Sequence, residues 1–353
     1  MARIRLGVIG AGSWAITSHL PNFAAHGDVE FVAVSRHGTE ELKRVRRDFG
    51  FAVASEDYRD VLAQSPDLVL VSSPSGLHHE HAKAALQAGA HVLLEKPVTI
   101  EPAAAWDLVQ IAKQVDRHVV VAFGWNYRPM VRLAKQIMGN PGIGRIEALS
   151  IVMASPTREL LSGTGSYPDA DPLTLPESAT WVDRRLSGGG YGQAQLSHAL
   201  GMALWLSHER VDGAFALMSA PSGAPVELHD AVAMRLSGGG IGTMSGGSSW
   251  TGAGGNKHQL CISMIGSEGQ FRIDVEREDL WLFRSDGVEI HPALSHPAGL
   301  YDCVGPVDAI LDLARGRDIP NESPIELGAR TVEALDLIYR SAASGVYEER
   351  ESK

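Results

Sequence analysis

Over the first 123 residues, short apolar runs alternate with longer segments of helical period, and few folds accommodate that order. The runs are residues 3–9, 30–34, 68–71, 91–94 and 119–122. Between them, residues 14–25, 39–49, 78–88 and 101–114 space polar and apolar side chains as an amphipathic helix does. An unbroken apolar run suits a strand buried on both faces, and a helix after each strand forces parallel pairing through right-handed crossovers. A doubly wound α/β sheet is therefore expected for an N-terminal domain, residues 1–123.

After that point the pattern changes. Residues 147–153, 226–236, 240–250, 259–265, 271–275 and 279–283 read as strands, some joined by glycine-rich turns such as Ser237-Gly238-Gly239-Gly240. Helical patterns at 191–206, 307–315 and 325–343 cover parts of what is expected to be a large, mostly antiparallel open sheet. This gives an α+β second domain, residues 124–353. The stretch 155–187, with several Pro, Gly, Ser and Asp residues, is long for a structureless connection and is a candidate binding loop.

The formal net charge of -11 sets the whole field against nucleic acid and anionic membrane, so neither is expected as a partner. Lys43, Arg44, Arg46 and Arg47 lie in a helical pattern and read first as a solvated helix face. Cys261 and Cys303 are far apart and lack metal or redox spacing, which fits a reducing compartment. The N-terminus runs into the first strand pattern without room for a signal peptide, so a cytoplasmic protein is expected. His78, His79 and His81 point different ways on a helix and have no acidic or cysteine partner in register, so no metal site is expected.

Gly10-x-Gly12-x-x-Ala15 follows the first strand and opens the first helix, where a dinucleotide fingerprint has physical meaning. Gly10 permits the tight turn and Gly12 admits a pyrophosphate to the backbone. Ala15 lets the helix pack on the sheet, and Ser13 and Trp14 stand in the same turn at the helix N-terminus. An NAD-selective site usually carries an acidic residue at the end of the second strand. Here that strand ends Val34-Ser35-Arg36-His37, with no carboxylate, so Ser35, Arg36 and His37 favour NADP(H) over NAD(H). Should Arg36 simply face solvent, dual specificity is expected instead.

Residues 71–99 contain Pro74-Ser75-Gly76-Leu77-His78 and then Glu95-Lys96-Pro97. With the glycine fingerprint, these stretches strongly resemble the Gfo/Idh/MocA family of oxidoreductases, and the resemblance runs over essentially the whole chain. Lys96 lies just past a strand end, where ligands of doubly wound sheets bind. The resemblance implies that its ammonium meets the reacting oxygen while hydride moves to or from a nicotinamide. A surface salt bridge to Glu95 is the plainer alternative. It also implies that Ser73, Pro74, Ser75, His78, Glu95 and Trp181 serve the cofactor, and that Asn126, Tyr127 and Arg128 serve the substrate.

The family's second element is a glycine-rich turn leading to a helix with Asp-x-x-x-His. Here Ser187-Gly188-Gly189-Gly190 leads to that helix with His198 in place, but Ala194 occupies the aspartate position. On a regular helical wheel Leu196, Ala199, Leu200 and Ala203 form an apolar face, leaving Gln195 and His198 to point at substrate. The resemblance thus implies interconversion of a secondary alcohol and a ketone on a sugar, sugar derivative or cyclic polyol, in a homodimer or homotetramer. The missing aspartate leaves two other readings open. One is a glycoside-cleaving or isomerising enzyme with tightly held dinucleotide, and the other a non-catalytic cofactor-sensing regulator.

Overall fold

The computed structural model describes residues 3–166, 175–250 and 258–350. The chain divides into two compact units. One holds 3–124, 175–180 and 302–329; the other holds 125–166, 181–250, 258–301 and 330–350. The return of 302–329 to the first unit is not visible in hydrophobic patterning, because its helix Val304–Ala314 reads as amphipathic in either setting.

The first unit is built on six parallel strands: β1 (Ile4–Ile9), β2 (Val29–Ser35), β3 (Val53–Ser55), β4 (Leu68–Val71), β5 (His91–Leu94) and β6 (Val119–Val121). Their order is β3-β2-β1-β4-β5-β6, so the winding reverses between β1 and β4. All of β4 and β6 is buried, and most of β1 and β5, which is why these strands read as unbroken apolar runs. Short β3 lies at the edge with no fully buried residue, so no apolar signal announced it. The chain returns at Ser323, whose Oγ donates to Val121 O at 2.6 Å and whose carbonyl accepts from Val121 N at 2.9 Å.

The second unit carries a nine-stranded sheet of β7 (Ile146–Ser155), β8 (Val211–Ser219), β9 (His229–Leu236), β10 (Ile241–Ser248), β11 (Gln259–Gly266), β12 (Gly269–Asp274), β13 (Asp279–Arg284), β14 (Glu289–Ile290) and β15 (Glu348–Glu349). The order is β14-β13-β12-β11-β7-β10-β9-β8-β15, antiparallel except where β10 runs parallel to β7. Burial alternates along β9 and β10, so one face is packed and the other open, as expected of an antiparallel sheet. Strand β8 escaped the sequence pattern because its Asp212 and Gly213 blur the alternation at a register shift.

The described part of 155–187 is not a bare loop. It holds short helical turns at Arg158–Leu161, Ser178–Val182 and Arg184–Ser187; residues 167–174 of the proposed binding loop lie outside the described residues. Among the described residues, no helix is long and apolar enough to cross a membrane.

Candidate active site

The glycine turn after β1 has the shape its sequence requires. Gly10 has φ of 85°, and a Cβ there would come within 2.4 Å of Ser73 N, so only glycine lets the loops after β1 and β4 meet at the reversal of winding. Gly10 N and Ala11 N both donate to Ser35 O, at 2.9 and 3.0 Å, which ties the turn to the end of β2. Gly12 differs: its Cβ would find nothing nearer than Gly10 O at 4.0 Å. Its missing side chain relieves no internal crowding, and the space stands open before the helix, whose first bond runs from Ile16 N to Gly12 O. Ala15 is fully buried against the sheet. A helix N-terminus behind open space fits a dinucleotide pyrophosphate.

At the end of β2, Ser35 is buried, Arg36 half-buried and His37 exposed. Arg36 does not extend into solvent: Nη1 donates to Ala11 O at 3.2 Å and Nε to His37 O at 3.0 Å, folding the guanidinium back over the glycine turn. Burial lowers its pKa, opposed by the charges of Glu41 and Glu177. The end of β2 carries no carboxylate of its own, but one from the next helix lies nearby. A Cβ on Gly38 would fall 2.6 Å from Glu41 Oε2 and 4.0 Å from Arg36 Nη2, so Glu41, on the following helix Thr39–Phe49, reaches the same place. Lys43 pairs with Glu40 at 2.8 Å and Arg44 with Asp48 at 3.3 Å, as on a solvated helix face.

Lys96 follows β5 and is half-buried. Burial lowers its pKa below the ordinary lysine range, opposed by the charges of Glu95 and Cys303. Glu95, 8% exposed, is engaged elsewhere than in the surface ion pair that its place beside Lys96 suggests. Its Oε1 takes His19 Nε2 at 2.6 Å and its Oε2 accepts from Lys96 N at 3.1 Å. These contacts hold its pKa down despite burial. His19, fully buried on the first helix, was missed in the sequence; its only signal there is a polar residue on the inward face of that helix.

The loop after β4 is braced to the same place. His78 is 1% exposed, with Nε2 at 2.6 Å from Ser73 O and Nδ1 at 2.8 Å from Pro97 O. Both partners are carbonyls, so only a doubly protonated ring donates to both, while burial drives its pKa down. His78 thus staples the Ser73-Pro74-Ser75 loop to the residue after Lys96. His79 instead meets Asp107 at 2.8 Å, and His81 meets Ser73 Oγ at 2.8 Å. Among the described residues, no group of three or more His, Cys, Asp or Glu is arranged to hold a metal ion.

In the second unit, His198 stands on the helix Ser197–Ser207, preceded by one wide π-type turn, Gly192–Leu196. That turn breaks the regular wheel, and every residue from Gly192 to Leu206 is buried, so the expected division into an apolar and a polar face does not hold. Gln195 and His198 are 8% and 6% exposed, and Ala194 lies among them without a carboxylate. His198 meets Trp125 edge-on at 5.2 Å and Tyr301 at 5.4 Å, while Trp125 and Tyr301 lie 4.6 Å apart. Trp125 Nε1 donates to Gly299 O at 3.2 Å, and Arg128 Nη2 to Pro297 O at 2.8 Å. Asn126 is buried beside them, Tyr127 is half-buried, and Trp181 lies on the helix Ser178–Val182. Trp125 and Tyr301 were also missed, because an aromatic side chain in sequence reads equally well as core.

Residues 4–123 match the family model described as GFO_IDH_MocA, "Oxidoreductase family, NAD-binding Rossmann fold". The chain is 32% identical to a D-glucoside 3-dehydrogenase of Escherichia coli over 35% of each protein. It is 28% identical to a levoglucosan dehydrogenase of Pseudarthrobacter phenanthrenivorans over 70% of this chain and 65% of that one. The chain's matches span 51%, 35% and 48% of the length of three of the curated relatives, about half of each or less. A solved levoglucosan dehydrogenase complexed with NADH and levoglucosan shares the fold, with TM-score 0.77 and 20% identity over 98% of this chain and 99% of that one. Over residues 4–123, which hold the six parallel strands of the first unit, the glycine turn and the Glu95-Lys96-Pro97 stretch, the chain is similar to the Gfo/Idh/MocA oxidoreductase family.

Proposed function

We propose that this protein is a nicotinamide-dinucleotide-dependent oxidoreductase that interconverts a secondary alcohol and a ketone on a sugar, sugar derivative or cyclic polyol, with Lys96 as its acid and base. The observation that carries the reading lies within the first unit. An open glycine turn at the reversal of winding and a desolvated lysine after β5 are joined through Ser73, His78 and Pro97. The names of the relatives, D-glucoside 3-dehydrogenase and levoglucosan dehydrogenase, point to a carbohydrate ring.

When bound, the nicotinamide supplies the hydride acceptor or donor that no side chain provides. The chain's own residues manage the proton. The lowered pKa of Lys96 gives its Nζ a neutral fraction at lower pH than an ordinary lysine, ready to take the hydroxyl proton and to return it in reduction. Glu95, tied to His19 and to the Lys96 amide, holds the backbone from which that side chain projects. His198, with Gln195 near it, is assigned a hydrogen bond to substrate. Arg36 favours the 2'-phosphate of NADP(H), and Glu41 beside it reduces that advantage without reversing it.

We further assign the open face of the nine-stranded sheet to self-association in a homodimer or homotetramer. Ile241 faces Ala148, which faces Ile265, which faces Gln270, which faces Phe283, so one row crosses the sheet with three large apolar side chains 63%, 53% and 47% exposed. Light scattering on the eluting protein tests this. The free Cys261 and Cys303 suit a cytoplasmic location.

The deciding experiment titrates purified protein with NADPH and NADH by fluorescence, then screens sugars, inositols and sugar acids for absorbance change. Lys96→Met is expected to bind dinucleotide normally and lose at least a hundredfold in kcat. Full turnover by that variant, or no dinucleotide binding by the parent protein, overturns the proposal.

A further inference from the structure

A helix leaves its first amides without partners, and in the second unit all four at the start of the His198 helix are taken by two residues from elsewhere in the chain. The first intrahelical bond runs from Ala194 N to Gly190 O, leaving the amides of Gly190, Tyr191, Gly192 and Gln193. Glu227 Oε1 accepts from Gly190 N at 2.6 Å and from Gly192 N at 3.3 Å, and the Glu227 carbonyl accepts from Tyr191 N at 3.0 Å. The fourth amide, Gln193 N, donates to Tyr339 Oη at 3.1 Å, and that hydroxyl donates in turn to Glu227 Oε1.

The glycines are explained by the same contacts. A Cβ on Gly189 would lie 2.3 Å from Tyr339 Oη, one on Gly190 2.1 Å from Glu227 O, and one on Gly192 2.8 Å from Tyr339 Oη. Three glycines, a 3% exposed glutamate and a tyrosine from the helix Ile325–Ser344 thus form one close-packed clamp on a helix end. No amide there remains for an anionic ligand, so this turn is no phosphate cradle.

We propose that Glu227 and Tyr339 are positioning residues for His198, fixing the end of its helix and with it the wide turn that sets the direction of the imidazole. The physical reason lies in the winding. The π-type turn holds one residue more than a regular turn, and relaxing it from a released end to ordinary α winding rotates each following residue by about 100°. Ser197 holds the far side of that turn, its Oγ donating to Gln193 O at 2.8 Å. Ala194 brings no carboxylate to the site; Trp125 and Tyr301 pack against the His198 ring, and the clamp fixes the helix end from which the ring projects.

The functional consequence rests on the proposed oxidoreductase reading, but the structural claim is tested without it. Protein labelled with 15N-histidine gives ring resonances, that of His198 being assigned with His198→Asn. Tyr339→Phe and Glu227→Ala are expected to move the His198 ring signals and its ring titration, while Glu227→Gln, which keeps an acceptor, restores them toward the parent values. Dinucleotide titration should be unchanged in all three. With a substrate in hand, Tyr339→Phe should lower kcat at least tenfold with little change in KM. His198 signals in folded Tyr339→Phe identical to those of the parent protein would overturn the proposal, and this milder variant decides the matter should Glu227→Ala not fold. Failure of the substrate screen alone counts against the oxidoreductase reading and leaves the His198 result standing.

Discussion

Two glycine-rich turns in this protein each open a helix, and they use their glycines in opposite ways. At Gly12 the absent side chain leaves space empty, and a methyl group added there would find only Gly10 O, at 4.0 Å. At Gly189, Gly190 and Gly192 the space is filled by Tyr339 and Glu227. The first helix end can receive an anion from outside; the second has received a carboxylate from within. Glycine in a turn therefore signals close approach, and only the identity of the approaching atoms separates a ligand site from a packed one.

Substitutions at the two turns should separate these uses. The largest effect is expected for Gly190→Ala, whose methyl group would meet Glu227 O at 2.1 Å; a loss on the order of 3 kcal/mol is expected in denaturant titration, with dinucleotide affinity kept in the folded fraction. A stability equal to the parent's would show the clamp to be loose.

Next comes the second carboxylate of that region. Asp230, 3% exposed and with no hydrogen-bond partner for either oxygen among the described residues, has its pKa pushed up to about 8 by burial and then by Glu227. A raised folded pKa means that the folded chain holds a proton the unfolded chain releases near pH 4, so this group makes stability fall as pH rises from about 4 to about 8. Asp230→Asn should gain on the parent protein by about 2 kcal/mol between pH 6 and pH 8. Parallel stability curves over that range would refute the assignment.

Gly12→Ala should do the reverse of Gly190→Ala. Its methyl group has room in the free protein, so melting should be unchanged, while dinucleotide affinity should fall at least tenfold, about 1.4 kcal/mol. Unaltered affinity would remove the pyrophosphate from this turn. The smallest effect is expected at Glu41→Gln, which removes the charge beside Arg36 and should raise the preference for NADPH over NADH a few-fold, under about 1 kcal/mol. No change in the ratio of the two affinities would exclude Glu41 from the ribose end of the site.

Much of the first unit is legible in the sequence. The strand at 68–71 and the helix at 39–49 stand where periodicity places them, because strands buried on both faces and amphipathic helices write their environment into local composition. The edge strand Val53–Ser55 and strand Val211–Ser219 are not legible, since neither has a clean pattern of burial. At the site, Lys96 and the two glycines of the fingerprint can be singled out by their distance from a strand end. His19, Glu41, Trp125, Tyr301, Glu227 and Tyr339 cannot, because each acts on a partner with which it shares no sequence motif.

What the sequence determined by itself was the alternation of five of the six strands of the first unit with helices, the turn that opens before its first helix, and the lysine beyond β5. These depend on neighbours in the chain, through side-chain period, backbone freedom and strand ends. Only the tertiary structure decided that Glu95 turns to His19, that the charge of Glu41 acts on Arg36, and that the second glycine turn is closed by Glu227 and Tyr339. Those outcomes depend on which distant atoms arrive at a given point, and a carboxylate or a glycine carries no local mark of the partner it will meet.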